Sequence, residues 1–401
     1  MSTTAPGTTA TPRERVPRIV PVLAASIFVL GTSEFLITGL LPDMAVDLGV
    51  SIPQVGYLIS AFAVGMIVGA PAMAVLTLRL PRRTTLVTML LVVIATHAVG
   101  ALTASYGLLL VVRVVTAVAT GGFWAVAAVV TVSSVGPAVR ARALSYLLAG
   151  LTVSNVVGIP LGTLIGQQFG WRATFWVIAV LAVAALATVV AVVPARSPDA
   201  PRPRLAPELD AFRRGRLWLA LGTTSLYQAG MVGMLAYVAP LLTEVTGLAP
   251  GWVPVVQLGF GLGSFVGVTI GGRVADAHPW TTLFSALGGA AVLLGVLGLT
   301  AGTPAAAVPL IVALGLIAFV AAAPLNSRVF ALAGSAPTLA SATNTSAFNV
   351  GNSLGPALGG LAISAGWGFT APSLIGVGLV AGAVALGTIS WSVDSPRGAV
   401  G

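Results

Sequence analysis

An all-α membrane protein is predicted, with twelve transmembrane helices in two six-helix, pseudo-symmetric halves. Three observations predict it. The 401-residue chain is 57% hydrophobic and only 7% charged, with a mean hydropathy of +1.02. It carries twelve apolar windows long enough to cross a bilayer. Residues of its first half also recur in its second half at a nearly constant offset.

Composition comes first. A soluble globular protein carries about 25% charged residues, and this chain has too little polar side chain to cover a water-exposed surface. Lipid as the outer solvent removes the conflict. The net charge of +9 does not point to nucleic acid, because the basic residues lie in short segments between apolar stretches, where membrane topology places them. All nineteen are arginine, and the Ala, Val, Gly and Arg bias resembles that of a GC-rich bacterial genome. With no cysteine, disulfides, thiolate catalysis and Cys-based metal sites are excluded. Residues 1–18 form a polar tail, rich in Thr and Pro and expected to be disordered. The first apolar run is long and carries a glutamate, so it reads as a retained span and not as a cleaved signal.

A spanning helix needs about 20 mostly apolar residues. Such windows lie near 19–41, 54–76, 84–104, 106–130, 142–166 and 172–193. They resume near 217–240, 252–272, 280–300, 304–327, 340–364 and 369–392. Loop charges test the count. With twelve spans, one side receives seventeen arginines, among them Arg79, Arg82, Arg83, Arg273 and Arg328, and the other side only Arg172. Arginine marks the cytoplasmic side, so both termini and the 194–216 linker are expected there. The expected layout is a first half over 19–193, the basic linker, a second half over 217–392 and a tail over 393–401.

The repeat is visible residue by residue. Pro42 and Gly49 match Pro240 and Gly247, and Gly65 and Gly69 match Gly263 and Gly267. Asn155, Gly158, Leu161 and Gly162 match Asn352, Gly355, Leu358 and Gly359, and the Gly-Trp pair at 170–171 matches 366–367. Two parallel six-helix repeats joined by a linker describe a transporter architecture in which substrate sites lie between the halves. Glycines at four-residue spacing allow close approach of helix backbones.

Several segments resemble a known family. Gly31-Thr-Ser-Glu-Phe35 followed by Gly-Leu-Leu-Pro42 is similar to the start of the drug:proton antiporter branch of the major facilitators. Arg79-Leu-Pro-Arg-Arg83 sits where that family carries its loop motif between helices two and three, although Leu78 and Pro81 replace the motif's acidic residue and glycine. The partial second copy, Gly272-Arg-Val-Ala-Asp276, keeps an aspartate. Arg113 with Gly121 resembles the helix-four motif, and Asn155-Val-Val-Gly-Ile-Pro-Leu-Gly162 the helix-five antiporter motif. Within the branch the chain most resembles actinobacterial chloramphenicol exporters. The resemblance implies the major facilitator fold, a bacterial inner-membrane location, and drug export driven by a proton gradient without a cofactor. It implies conformational roles for Arg79, Arg82, Arg83, Asn155, Gly158, Pro160, Gly162 and Asp276.

The intramembrane charges carry the sharpest chemical signal. Of ten acidic residues only Glu34 falls well inside a span, and of the basic ones only Arg113. Charges at such depth are costly and mark ion pathways. Glu34 lies about fifteen residues, or about 22 Å, along helix one. Desolvation disfavours a carboxylate, so Glu34 is the expected proton-coupling group. Arg113 stays protonated and needs several acceptors. It is expected either to tune Glu34 or to hold helix-end carbonyls. The expected substrate contacts are Thr32 and Ser33, Phe123 and Trp124, Tyr227, Gln228, Met231 and Tyr237 on helix seven, and Asn349 and Asn352 on helix eleven. Amide, phenol, sulfur and aromatic groups suit a largely apolar drug; ordinary packing is the other reading of each. His97 reads as a satisfied packing residue, and Pro160 as a bend in helix five.

No phosphate-binding Gly-Lys-Ser/Thr loop is present, and two histidines without cysteine make metal ligation implausible. An enzyme is not expected. The expected partners are a small-molecule drug, protons and the bilayer, with no nucleic acid, and the chain is expected to act as a monomer. A sugar or another small metabolite is the alternative cargo. The few intramembrane polar groups lean toward a drug.

Overall fold

A computed structural model describes residues 16–76, 80–136, 139–194, 215–333 and 337–394. Among them the chain is helical throughout, with no strand. The first half contains α1 (Ile19–Phe35), α2 (Ile52–Leu76), α3 (Arg82–Leu102), α4 (Tyr106–Ser133), α5 (Arg142–Phe169) and α6 (Trp171–Val192). The second contains α7 (Gly215–Ala236), α8 (Val253–Ala277), α9 (Pro279–Thr300), α10 (Pro304–Ala333), α11 (Pro337–Ser364) and α12 (Ala371–Asp394). An even number of crossings puts residues 16 and 394 on the side of the 194–216 linker. We call it the linker side.

Ten of these helices are long and apolar enough to cross a membrane, and α7 joins them if it is taken with its bent continuation Val238–Val245, at 51°. The remaining one, α11, is 28 residues long but carries threonine, serine and asparagine along its length. Asn344, Asn349 and Asn352 are buried against protein, so the helix sits inside the bundle despite its polarity.

The pseudo-repeat extends to backbone conformation and packing. Gly49 and Gly247 both adopt positive φ, at 63° and 71°, as do Gly170 and Gly366, at 83° and 86°. In the first half Gly65 and Gly69 on α2 lie against Val114 and Val118 of α4. In the second half Gly263 and Gly267 on α8 lie against Val312 and Leu316 of α10, each pair displaced by the same 198 residues. A Cβ at Gly267 would press on the Leu316 carbonyl, which as backbone cannot turn aside. Gly267→Ala is therefore expected to destabilise by roughly 1–3 kcal/mol. Gly272→Ala, with open space around it, is the neutral control. Thermal unfolding followed by tryptophan fluorescence in detergent distinguishes the two.

Each half has its own apolar core. One is built on Leu23, Ile27, Leu90, Phe123 and Ile178, the other on Met231, Leu287, Leu294, Ile311 and Leu314. On the linker side of the first half, Arg82 donates to Ser133 at 2.7 Å and Arg83 to the Val190 carbonyl at 2.7 Å, near the C-terminus of α6. In the second half, Arg328 donates to Asp394 at 2.7 Å and stacks on Trp280 at 4.1 Å, while Arg216 pairs with Asp394 at 3.3 Å. Arg328 was expected in a loop. It lies instead within α10, which runs to Ala333 because this network satisfies its charge. On the opposite side, Asp47 pairs with Arg172 and accepts from Trp171 Nε1 at 3.0 Å. The Arg172 and Trp171 bonds hold the Asp47 carboxyl below its usual value.

Candidate functional site

Helix α1 stops at Phe35 and continues as a short 3-10 segment, Leu36–Gly39. A change of helical pitch leaves carbonyls without their regular i+4 donors. Arg113 fills that need. Its NH1 donates to the Ser33 carbonyl at 2.8 Å, its NH2 to the Glu34 carbonyl at 2.7 Å, and its Nε to the Leu58 carbonyl on α2 at 3.3 Å. Arg113 is 2% exposed, and its guanidinium lies 4.3 Å from the Phe62 ring centroid. Of the two roles expected for Arg113, the geometry displays the helix-end clamp: it binds the backbone of Glu34, not its carboxyl.

The carboxyl points across to the other half. Asn352 Nδ2, on α11, donates to Glu34 Oε1 at 3.3 Å. The amide of Asn352 is held from two directions. Gln228 Nε2, on α7, donates to its Oδ1 at 2.9 Å, and its Nδ2 also reaches Asn349 Oδ1 at 3.5 Å. Asn349 is anchored in turn through its Nδ2 to the Thr345 carbonyl at 2.9 Å. Ser33 beside Glu34 hydrogen-bonds His97 Nε2 at 2.8 Å, while His97 Nδ1 lies 2.8 Å from the Val93 carbonyl. A carbonyl accepts only, so Nδ1 carries the proton when the ring is neutral, and Nε2 accepts from the Ser33 hydroxyl.

Of the residues expected at a substrate site, Gln228, Asn349 and Asn352 meet at this junction with Glu34, whereas the Ser33 side chain turns to His97 of α3 within the first half. Thr32 bonds the Phe28 carbonyl at 2.8 Å and packs on Gly158. Phe123, Tyr227 and Met231 are buried away from Glu34. Phe123 is fully buried in the first-half core with Trp124 packed on it. Tyr227 and Met231 lie in the second-half core, where the Tyr227 hydroxyl donates to the Ile317 carbonyl at 3.1 Å. Their helix faces meet neighbouring helices within one half.

Tyr237 sits nearer the side opposite the linker. It is 1% exposed, donates to the Pro356 carbonyl at 2.8 Å, and occupies a hollow left by Gly56 of α2 and Gly360 of α11. The halves also join there through Gln257 of α8, which accepts from Thr163 of α5 at 2.8 Å and reaches Thr38 at 3.4 Å. Gln167 donates to the Pro250 carbonyl at 2.9 Å. Sequence reasoning missed Gln257, although an amide within an otherwise apolar, glycine-rich span was a signal for it.

The helix-five motif has a concrete form. Residues Ser154–Gly158 make a π-turn, in which the Ile159 N–H bonds the Ser154 carbonyl, and Pro160 follows directly. The widened turn presents Asn155 and Val156 to Gly261 of α8 and Gly158 to Thr32 of α1, and beyond it Gly162 meets Leu36 of the 3-10 segment. Asp276 is exposed at the end of α8 and makes no hydrogen bond or ion pair with the described residues. Arg79 lies outside them, as does most of the 194–216 segment.

The Major Facilitator Superfamily model matches residues 23–356. The chain belongs to that superfamily. It is a multi-pass membrane transporter, not an enzyme. Among curated relatives, a chloramphenicol resistance protein of Streptomyces lividans is 42% identical over 340 residues, covering 84% of this chain and 86% of the relative. The inner membrane transport protein YdhP of Escherichia coli K12 is 35% identical over 364 residues, covering 90% and 93%. A bacterial homologue of the human lysosomal transporter Spinster, solved inward-facing and occupied, matches with a TM-score of 0.75 at 17% identity, over 93% of this chain and 96% of that one. At that identity the likeness speaks to the fold of this facilitator alone.

Proposed function

We propose that this facilitator exports small, largely apolar antibiotics of the chloramphenicol type in exchange for protons, by alternating access across a bacterial inner membrane. The observation that carries the reading is the position of Glu34. It is a carboxyl deep in a span, bonded to the opposite half at the junction where the halves meet. A carboxyl there can take up a proton when the junction opens to one side and release it when it opens to the other. Arg113 fixes the helix break that presents Glu34. The excess of arginine on the linker side supports a cytoplasmic location for both ends of the chain. The 42% identity to a chloramphenicol resistance protein supports the choice of cargo.

Chloramphenicol accumulation in cells tests the reading. Cells producing the protein are expected to hold less drug than cells without it, and a protonophore is expected to erase the difference. Equal accumulation with and without the protein removes the phenicol assignment. Export that survives the protonophore removes proton coupling.

A further inference from the structure

The Gln228–Asn352 pair has a role that substrate contact does not explain. We infer that Asn352, oriented by Gln228, is a positioning residue for Glu34, forming a latch that holds the two halves together when the carrier holds neither proton nor drug. This inference rests on the proposed role of Glu34 as the proton carrier.

Three features support it. The bond from Asn352 to Glu34 joins α11 to α1, so it crosses between the halves. As the amides are oriented, Gln228 donates to Asn352 Oδ1 and an Asn352 N–H faces the carboxyl, the orientation that an ionised, acceptor-only carboxylate requires. The third feature is energetic. A hydrogen bond to a carboxylate is roughly twice as strong as one between neutral groups. The latch is therefore firm when Glu34 is charged and weak once it is protonated. The charged and titratable groups beside Glu34 are Arg113 from α4, on its carbonyl, and His97 from α3, through Ser33. From α7 and α11 the facing groups are amides.

Exchange needs such a device. A carrier that changes sides while empty and deprotonated returns after each proton delivery and dissipates the gradient without moving drug. A latch strongest in that form prevents the return. Protonation weakens it, and a drug that competes for the Asn352 amide releases it.

The test uses the full-length protein in liposomes enclosing a pH-sensitive dye, under an imposed pH gradient, with chloramphenicol as the probe. The wild type is expected to pass few protons until drug is added. Asn352→Ala is expected to raise drug-free proton flux about tenfold. The double variant E34Q/N352A is expected to fall back to the wild-type level, because the leak runs through Glu34. Gln228→Leu, which frees the Asn352 amide to rotate, is expected to leak to a smaller extent, and it carries the test if Asn352→Ala does not fold. N352Q, which retains an N–H donor, is expected to leak less than N352A.

Tight variants that still exchange as the wild type does overturn the latch while leaving the role of Glu34 intact. A leak that persists in E34Q/N352A also overturns it. A wild type with no drug-stimulated proton flux overturns the proposed function itself, and the latch with it.

Discussion

Glu34→Gln is expected to abolish proton-driven export, so that drug accumulation equals that of cells lacking the transporter. Glutamine has the shape of a protonated glutamate and keeps an acceptor for Asn352, so the fold is expected to survive. What it lacks is the ability to release a proton. Drug-for-drug counterflow, which needs no net proton movement, is therefore expected to persist in the variant when proton-driven export is gone. That pairing separates a coupling group from a structural one. If the variant exports as well as the wild type under the same gradient and at equal membrane abundance, the proton travels elsewhere.

The second large effect is expected at Arg113, and it is a stability effect. Its guanidinium satisfies carbonyls of Ser33, Glu34 and Leu58 in a dry setting. The Leu58 carbonyl lies inside α2 and keeps its helical donor, so Arg113→Leu leaves unpaired the two carbonyls at the α1 break, at about 1–3 kcal/mol each. The sum is a large fraction of the stability of many domains, so the variant is expected to be depleted from the membrane and to unfold well below the wild type. Arg113→Lys keeps the charge but loses the planar fork. It reaches fewer carbonyls and is expected to recover part of the stability. The comparison reads out in tryptophan fluorescence on heating, for which eight tryptophans give signal. A lysine variant as stable as the wild type, or a leucine variant of unchanged stability, overturns the clamp.

Much of this architecture was legible before any coordinates. Helix number, the repeat and the two intramembrane charges follow from hydropathy, spacing and the cost of charge in lipid, all local properties of the chain. Helix-end carbonyls were one of the two roles expected for Arg113, but which carbonyls was not legible, because those of Ser33 and Glu34 sit at a change of helical pitch three spans away, and side-chain patterns do not record pitch. The burial of Phe123, Tyr227 and Met231 was hidden for a different reason. In a bundle surrounded by lipid, apolar residues cover every face of a helix, so periodicity does not tell core from cavity. The amides on α11 were easier to place, since a polar group inside a span must meet protein.

That last point bears on how the protein is made. A nascent segment as polar as α11 gains little by leaving the translocon for lipid alone. Its side-chain amides find partners in Gln228 of α7 and Asn326 of α10, and its backbone carbonyls accept from Ser60 of α2 and Ser225 of α7. All of these are synthesised earlier. Late in biogenesis, then, a helix is recruited by the protein already in the bilayer, and membrane insertion of α11 and joining of the two halves become one event.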